Sequence, residues 1–384
     1  MKLLKGNDLL NANQCNSLRG IAIIGIFLHN FCHWLKPGII LENEYNFNFN
    51  FSRQMWDYLT QGGIDMYLPI QFFSFFGHYG VPIFLFLSGY GLVMKYENEN
   101  SEKSGAAQFI KYQWLKLFRL MLLGLFVTLF THGVYGSFNK YYNFTNIIAQ
   151  LLLVINVMPN PAGNIVPGPY WFFGLMLQVY ILYRLIIYPS HNNKKGYWKS
   201  LRWLIPVALV VLAWLIQLPF IHRPMGLQYL RYNVVVAILP FSAGVLMARY
   251  GFPKLPKWAL AIVAATAIVA LMLANLNFHS WLWGPLLVIA GSMSFVKLFE
   301  AKSSQRKSQL DTIMKPLVWT GVLSSCIFAV HSIARLPIFL EVLWKQPKVT
   351  PEVYLWLALY ICVTYLLAWG YQYYLKLYPK PRLK

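Results

Sequence analysis

Long apolar runs recur along the whole chain and restrict its fold more than any other feature. Each has about 17 to 22 residues, and about 20 helical residues cross a hydrocarbon core of about 30 Å. Only helices and closed β-barrels satisfy their backbone hydrogen bonds inside lipid. Strands of such barrels alternate apolar and polar residues, whereas these runs do not. We therefore predict an all-α polytopic transmembrane bundle.

The predicted membrane helices number about ten, counted from the apolar runs. They lie near 17–35, 78–95, 113–132, 169–189, 203–221, 231–249, 258–274, 281–298, 317–338 and 352–376. Only 12% of the residues are charged and 58% are apolar, whereas roughly 25% are charged in an average soluble domain. We therefore expect a single membrane domain over 1–384, without a sizeable soluble domain.

The basic residues predict the orientation of the bundle. The net charge of +21 comes from Lys and Arg in loops between apolar runs, not from one soluble face, so we expect no nucleic-acid partner. Lys and Arg accumulate in cytoplasmic loops of membrane proteins. With both termini in the cytoplasm, 25 of the 33 basic residues fall inside, while the 12 acidic residues divide evenly.

Two segments do not fit a simple series of spans. Residues 143–157 are apolar but short, and counting them as a crossing would move a basic cluster outside, so we predict an interfacial or re-entrant helix. Within residues 36–77, the run 42–59 alternates polar with aromatic side chains. Because aromatic rings favour the membrane interface, we predict an extracytoplasmic cap segment there.

The first predicted helix carries the most polar side chains: Arg19, His29, Asn30 and His33. At about 100° per residue, the last three lie within about 80° of the arginine around the helix axis, so all four can face one cavity. The rise places His29 about 15 Å beyond Arg19. This geometry suits a long cofactor with an anionic end at the cytoplasmic face and a reacting centre inside the membrane.

Two other interpretations of this helix stay open. Arg19 can snorkel to lipid phosphates while the histidines lie near the outer interface. His29 and His33, at i and i+4, can bind zinc, but no further matched ligands are evident, so we expect no metal.

Four motifs occur in order along the chain. They are SLRGIAIIGIFLHN at 17–30, GVPIFLFLSGYGL at 80–92, PYWFFGLMLQVYILY at 169–183 and LSSCIFAVHS at 323–332. Together they resemble the acyltransferase 3 family of membrane enzymes. The resemblance implies transfer of an acyl group, commonly acetyl, from acyl-CoA to a hydroxyl or amine of a glycan or related cell-envelope acceptor. It also implies a multi-pass protein of a bacterial cytoplasmic membrane.

The resemblance implies His29 as the catalytic base, acting with Arg19. The arginine-to-histidine interval is one residue shorter here than in the family pattern, so His33 is kept as a second candidate for the base. An acidic residue usual in the second motif is replaced by Pro82. Imidazole suits the role of base because its unperturbed pKa lies near neutrality.

Further residues are candidates for binding the two substrates. The donor phosphates are expected at Lys111, Lys116 and Arg119, which stand where the family has an arginine pair, and beside Ser88 and Gly89. The acceptor candidates are Trp171, Tyr170, His331, His78 and Asn30. Each group has a plainer interpretation: cytoplasmic topology charges, small-residue helix packing, and an interfacial aromatic belt.

A secondary transporter or flippase of a glycan or small polar solute is the main alternative function. Ion coupling normally uses carboxylates inside the spans. Here Asp65 precedes the second predicted span, and Glu341 and Glu352 lie at or beyond helix ends. We therefore favour the enzyme, with membrane lipid, acyl-CoA and a glycan or lipid-linked sugar as partners.

Overall fold

A computed structural model describes most of the chain. The described residues are 3–4, 9–35, 38–97, 104–136, 138, 142–189, 196–299, 304–346, 349–378 and 381–382, with side chains undescribed at 3, 196–201 and 304–313. Residues 36 and 37, at the start of the predicted cap segment, lie outside the described residues.

The described chain is almost entirely helical. In chain order the helices are α1 Ala12–Cys32, α2 Phe49–Thr60, α3 Leu68–Phe76, α4 Gly80–Tyr96, α5 Ala106–Val134, α6 Phe144–Leu151, α7 Pro161–Asn164, α8 Trp171–Leu182, α9 Gly196–Gln217, α10 Pro224–Arg231, α11 Val234–Tyr250, α12 Lys257–Ala274, α13 Phe278–Trp281, α14 Gly284–Leu298, α15 Ser304–Glu341 and α16 Val353–Leu377. Two short strands, β1 Leu3–Leu4 and β2 Phe252–Pro253, pair antiparallel.

The predicted all-α transmembrane bundle is confirmed. Among the described residues, eight helical segments are long and apolar enough to cross a membrane. A ninth is the bent pair α10 and α11, which meet at 48°. The remaining predicted span, 281–298, corresponds to α14, which has 15 residues and is therefore about 22 Å long.

Two helix boundaries differ from the sequence-based expectation. Helical structure before the second span begins at Leu68 and runs through the 3₁₀ turn Gly77–Tyr79 into α4, rather than beginning near 78. Within 143–157 the structure has α6, with eight residues, which cannot cross a core of about 30 Å. The position of α6 relative to the membrane remains a prediction.

The chain folds into two compact units. The first unit comprises 1–101 and 239–324. Its core lies where α1, α4 and α14 pack, with Leu18, Phe86 and Met293 among the buried residues. At one end of α4, Glu97 and Arg249 form a bidentate ion pair with Nη2 to Oε1 of 2.6 Å, and both side chains are buried.

The second unit comprises 102–238 and 325–384. Two tyrosine hydroxyls connect its helices by donating to backbone carbonyls. Tyr170 donates to the Ala329 carbonyl at 2.7 Å, which ties the start of α8 to α15. Tyr371 donates to the Leu120 carbonyl at 2.6 Å, which ties α16 to α5.

Helices α4 and α11 approach each other through glycine. A Cβ at Gly89 would lie closer than 3.0 Å to the carbonyl of Phe241, and a Cβ at Gly244 would lie equally close to the carbonyl of Phe86. Gly91, two residues further along α4, has open space around it. The small residues of the second motif therefore serve helix packing at Gly89, as is usual between membrane helices.

This contact predicts different results for two glycine substitutions in one helix. Gly89→Ala forces the α4 and α11 backbones apart and costs about 1–3 kcal/mol through overpacking. Gly91→Ala is the matched control, since it adds the same methyl group where nothing lies within 4 Å. Thermal unfolding of the detergent-solubilised protein should show a lower Tm for Gly89→Ala alone. Equal melting temperatures would refute the packing role.

Candidate active site

Helix α1 begins with a capping box and ends at the predicted catalytic histidine. The Asn11 side chain accepts from the Gln14 amide at 2.9 Å, and the Gln14 side chain accepts from the Asn11 amide at 3.0 Å. This pair satisfies two amides that a helix start leaves without partners. His29 lies in the last turn and is only 2% exposed.

The His29 ring is oriented by backbone carbonyls. Its Nδ1 lies 2.9 Å from the Ser74 oxygen and 3.2 Å from the Phe73 oxygen. A carbonyl oxygen can only accept, so Nδ1 carries a proton and donates it. In the neutral ring Nε2 is then the unprotonated nitrogen, which is the tautomer a general base needs.

Glycine permits this close approach of α1 to the 3₁₀ turn. A Cβ at Gly77 would lie closer than 3.0 Å to the Cβ of His29 and to the carbonyl of Gly25. A Cβ at Gly80 would collide with the carbonyl of Ala22. The backbones therefore touch at these positions, which brings the end of α3 within hydrogen-bond reach of the imidazole.

Two glutamates face the other ring nitrogen of His29. Nε2 lies 3.7 Å from Glu44 Oε2 and 4.0 Å from Glu42 Oε1, and the two carboxylate side chains are 15% and 13% exposed. These distances allow strong electrostatic attraction but are too long for hydrogen bonds. Burial raises the pKa of the Glu42 carboxyl, His29 opposes that shift, and Glu44 adds to it.

The segment that carries these glutamates is anchored by buried hydrogen bonds. Asn43, between them, donates from Nδ2 to Ser52 Oγ at 2.7 Å, and its backbone oxygen accepts from Trp281 Nε1 at 3.0 Å. Upstream, the Ile40 amide donates to Gln71 Oε1 at 2.9 Å. The glutamates are therefore held on both sides along the chain.

Two more imidazoles adjoin His29. The His33 ring stacks on it with centroids 4.4 Å apart, and His78 meets it edge-on at 5.6 Å. His33, which directly follows α1, donates from Nδ1 to the His29 carbonyl at 3.0 Å. The structure thus brings together three histidines and two glutamates in the first unit.

The other polar residues of α1 bond within their own helix. Arg19 is half-buried and donates from Nη1 to Asn16 Oδ1 at 2.8 Å. Asn30 donates from Nδ2 to the Ile26 carbonyl at 2.9 Å. Because α1 is continuous from Arg19 to His29, the expected separation of about 15 Å along the axis holds.

An apolar cavity of about 450 Å³ lies beside the same part of α1. Its lining includes Gly25 and Gly77, which pack next to His29, together with Phe73, whose carbonyl accepts from the imidazole. The cavity therefore reaches the backbone that orients the ring, on a side lined by hydrocarbon.

The His29 and glutamate cluster also has the atom types of a metal site. One ligand atom from each of His29, Glu42 and Glu44 lies within 4.8 Å of the others. Ligands at about 2.0–2.1 Å from a tetrahedral Zn²⁺ are about 3.3 Å apart. The separations of 3.7 and 4.0 Å from Nε2 are longer than that, so the geometry fits an imidazole beside two carboxylates better than a formed zinc site.

The predicted donor-binding residues fall in both units. In the first unit, Ser88 Oγ donates to the Phe84 carbonyl at 2.8 Å, which is a bond within α4. In the second unit, Lys111 and Lys116 are exposed on α5. Arg119 donates from Nη2 to the carbonyls of Leu375 and Tyr378, the latter at 2.7 Å, and so contacts the end of α16.

Three predicted acceptor residues are buried in the second unit. Tyr170 is fully buried with its hydroxyl on the Ala329 carbonyl, and Trp171 beside it is buried too. His331 is also fully buried, and its Nδ1 donates to the Ile327 and Phe328 carbonyls. Among the described residues, His331 Nε2 has no hydrogen-bond partner.

Comparison with protein families decides the assignment. The model of one family, described as an acyltransferase domain, matches residues 14–373, which is nearly the whole chain. This chain belongs to the acyltransferase 3 family. Neither a curated protein nor a solved structure matches it significantly. The protein is therefore an integral multi-pass membrane acyltransferase.

Glu42 and Glu44 are the site residues that sequence reasoning missed in this acyltransferase. A signal was present, since two acidic residues at i and i+2 stand among aromatic residues in the stretch after the first span. In an extended segment such residues point to the same side. The sequence did not reveal that the segment folds back onto α1, because that return depends on the Asn43 and Gln71 side chains.

The contacts of Arg119 predict a structural effect of its loss. Arg119→Ala leaves the Leu375 and Tyr378 carbonyls without this donor, and we expect a cost of about 1–3 kcal/mol. Lys111→Ala removes the same charge from an exposed position of α5 and should leave the Tm unchanged. Equal melting temperatures for both variants would mean that the guanidinium does not support α16.

Proposed function

We propose that this acyltransferase transfers an acyl group, typically acetyl, from acyl-CoA to a hydroxyl or amine of a glycan or related cell-envelope acceptor. His29 is the general base. The observation that supports this most is the orientation of the imidazole, with Nδ1 donating to two carbonyls and Nε2 buried beside carboxylates. Family membership supports acyl transfer, and the orientation of the His29 ring supports its role in activating an acceptor.

The proposed reaction needs only the two substrates and the His29 imidazole. Nε2 of His29 takes the proton of the acceptor hydroxyl as the oxygen attacks the thioester carbonyl carbon. A carbon–oxygen bond forms, the carbon–sulfur bond breaks, and the imidazolium returns the proton to the leaving sulfur. The imidazole ends neutral, so one ring serves as base and then as acid.

The donor and the acceptor arrive from opposite sides in this proposal. Coenzyme A enters from the cytoplasm, and Arg19 is the α1 side chain proposed to meet its phosphates, since a guanidinium binds phosphate well. The thioester end then has about 15 Å of helix to reach His29. The acceptor approaches from the side of the segment at 38–48, in a bacterial cytoplasmic membrane. Lys111, Lys116 and the acceptor residues of the second unit remain predictions.

Removal of the imidazole tests the proposed base. His29→Gln should lower acetyl transfer, or hydrolysis of acetyl-CoA without acceptor, by about 10²–10⁴-fold, the range for a lost general base. His279→Gln is the matched control, because it replaces an exposed histidine of the first unit. The measurement is release of free thiol by purified protein in nanodiscs. Full activity of His29→Gln would eliminate the base.

The same assay separates the two histidines of α1. His33 Nδ1 is held by the His29 carbonyl, and its ring stacks on the His29 ring. His33→Gln should therefore reduce the rate less than His29→Gln does, because the orienting carbonyls of Phe73 and Ser74 remain. The reverse order would transfer the role of base to His33.

A further inference from the structure

We propose that Glu42 and Glu44 are positioning residues that hold the His29 imidazolium formed during transfer, and that they select against acceptors with a negative charge beside the reacting hydroxyl. This inference rests on the proposed function. Neither glutamate belongs to any of the four sequence motifs.

His29 can exchange protons at only one of its two ring nitrogens. Nδ1 is committed to the Ser74 and Phe73 carbonyls, so a transferred proton arrives and leaves at Nε2. Nε2 is buried and has no hydrogen-bond partner among the described residues. A buried imidazolium without a counter-charge would be costly, because burial penalises the charged form.

Two carboxylates supply a counter-charge for the imidazolium. The carboxylates of Glu44 and Glu42 lie 3.7 and 4.0 Å from Nε2. At such distances in a partly buried site, opposite charges attract strongly, because the effective dielectric constant there is well below that of water. Glu42 Oε2 is itself buried and has no hydrogen-bond partner in the described part of the chain. The cluster is therefore arranged for a positive charge or a hydroxyl donor.

Hydrogen bonds of their own segment hold the two glutamates in place. Asn43 Oδ1 accepts from the Asn48 amide at 3.0 Å, in addition to its bond to Ser52. Ser74 Oγ donates to the Ile40 carbonyl at 2.8 Å, while the Ser74 carbonyl accepts from His29. One residue of α3 thus contacts both the imidazole and the glutamate segment.

The charge around Nε2 also restricts the acceptor. Its titratable neighbours are Glu42 and Glu44 from the segment, His33 from α1, and His78 from the 3₁₀ turn. Two carboxylates beside one nitrogen repel a substrate with a carboxylate or phosphate next to its reacting hydroxyl. We therefore infer an acceptor that carries no negative charge beside its reacting position, such as an uncharged sugar with a free hydroxyl.

Charge-removing variants test the positioning role. Glu44→Gln and the double variant Glu42→Gln/Glu44→Gln should lower kcat for acetyl transfer by about 10- to 100-fold, since the base is weakened. KM for acetyl-CoA should stay within about threefold, and the pH of half-maximal activity on the acidic side should fall. Glu44→Asp should restore part of the rate. Asp57→Asn, another acidic residue of the 38–77 stretch, is the control and should match wild type.

Three different outcomes would contradict the positioning role or the proposed function. A folded double variant with wild-type kcat and pH profile would overturn this inference, while loss of activity in His29→Gln would leave the proposed function intact. Full activity of His29→Gln would defeat the proposed function itself. One divalent metal ion per chain in purified protein, lost from the double variant, would overturn the positioning role because the carboxylates would then be metal ligands. If the double variant has a lowered Tm, the single variant and Glu44→Asp decide the question.

A competition assay tests which class of acceptor the site prefers. Competition between a neutral sugar and its uronic-acid counterpart, each offered with acetyl-CoA, should favour the neutral sugar in the wild type. The preference should weaken in the double variant, because the repelling charges are gone. An uronic acid that is acetylated as well as the neutral sugar by the wild type would contradict the inference.

Discussion

The backbone contact between α1 and the Gly77–Gly80 turn is the interaction on which the site depends. Because Gly77 and Gly80 have no Cβ, the turn reaches the α1 backbone directly. This contact places the end of α3 under His29, where two carbonyls take the Nδ1 proton. The tautomer of a buried imidazole thus follows from helix packing, and this tautomer leaves Nε2 as the nitrogen that can accept a proton.

The buried polar groups beside that contact lower the stability of the folded protein. Each buried polar group without a hydrogen bond costs about 1–3 kcal/mol, and both His29 Nε2 and Glu42 Oε2 belong to this class. A cost of this kind is typical of sites arranged for a reaction, where stability is given up for a poised group. The anchors of the segment, such as Asn43, offset it with bonds that are satisfied.

The sequence predicted the parts of this protein that depend on local pattern. Hydrophobic length revealed the spans, and the spacing along α1 placed Arg19 and His29 about 15 Å apart because a helix has a constant rise. Patterns failed where the result depends on distant partners. The bend between α10 and α11, the start of helical structure at Leu68 and the return of Glu42 and Glu44 to His29 all require contacts that no local spacing encodes.

The same distinction applies to the candidate site residues, which differ in how fully the fold uses their polar groups. Gly89, Tyr170 and Arg119 are candidates for cofactor or substrate contact, and each has a close partner inside the protein: Phe241, Ala329 and Tyr378. A motif residue can serve packing, since helix contacts in lipid need small side chains and bonded polar groups. His29 differs because only one of its two nitrogens is used by the fold. Its Nε2 is not used by packing, lies near two carboxylates, and is the nitrogen for which we propose the role of base.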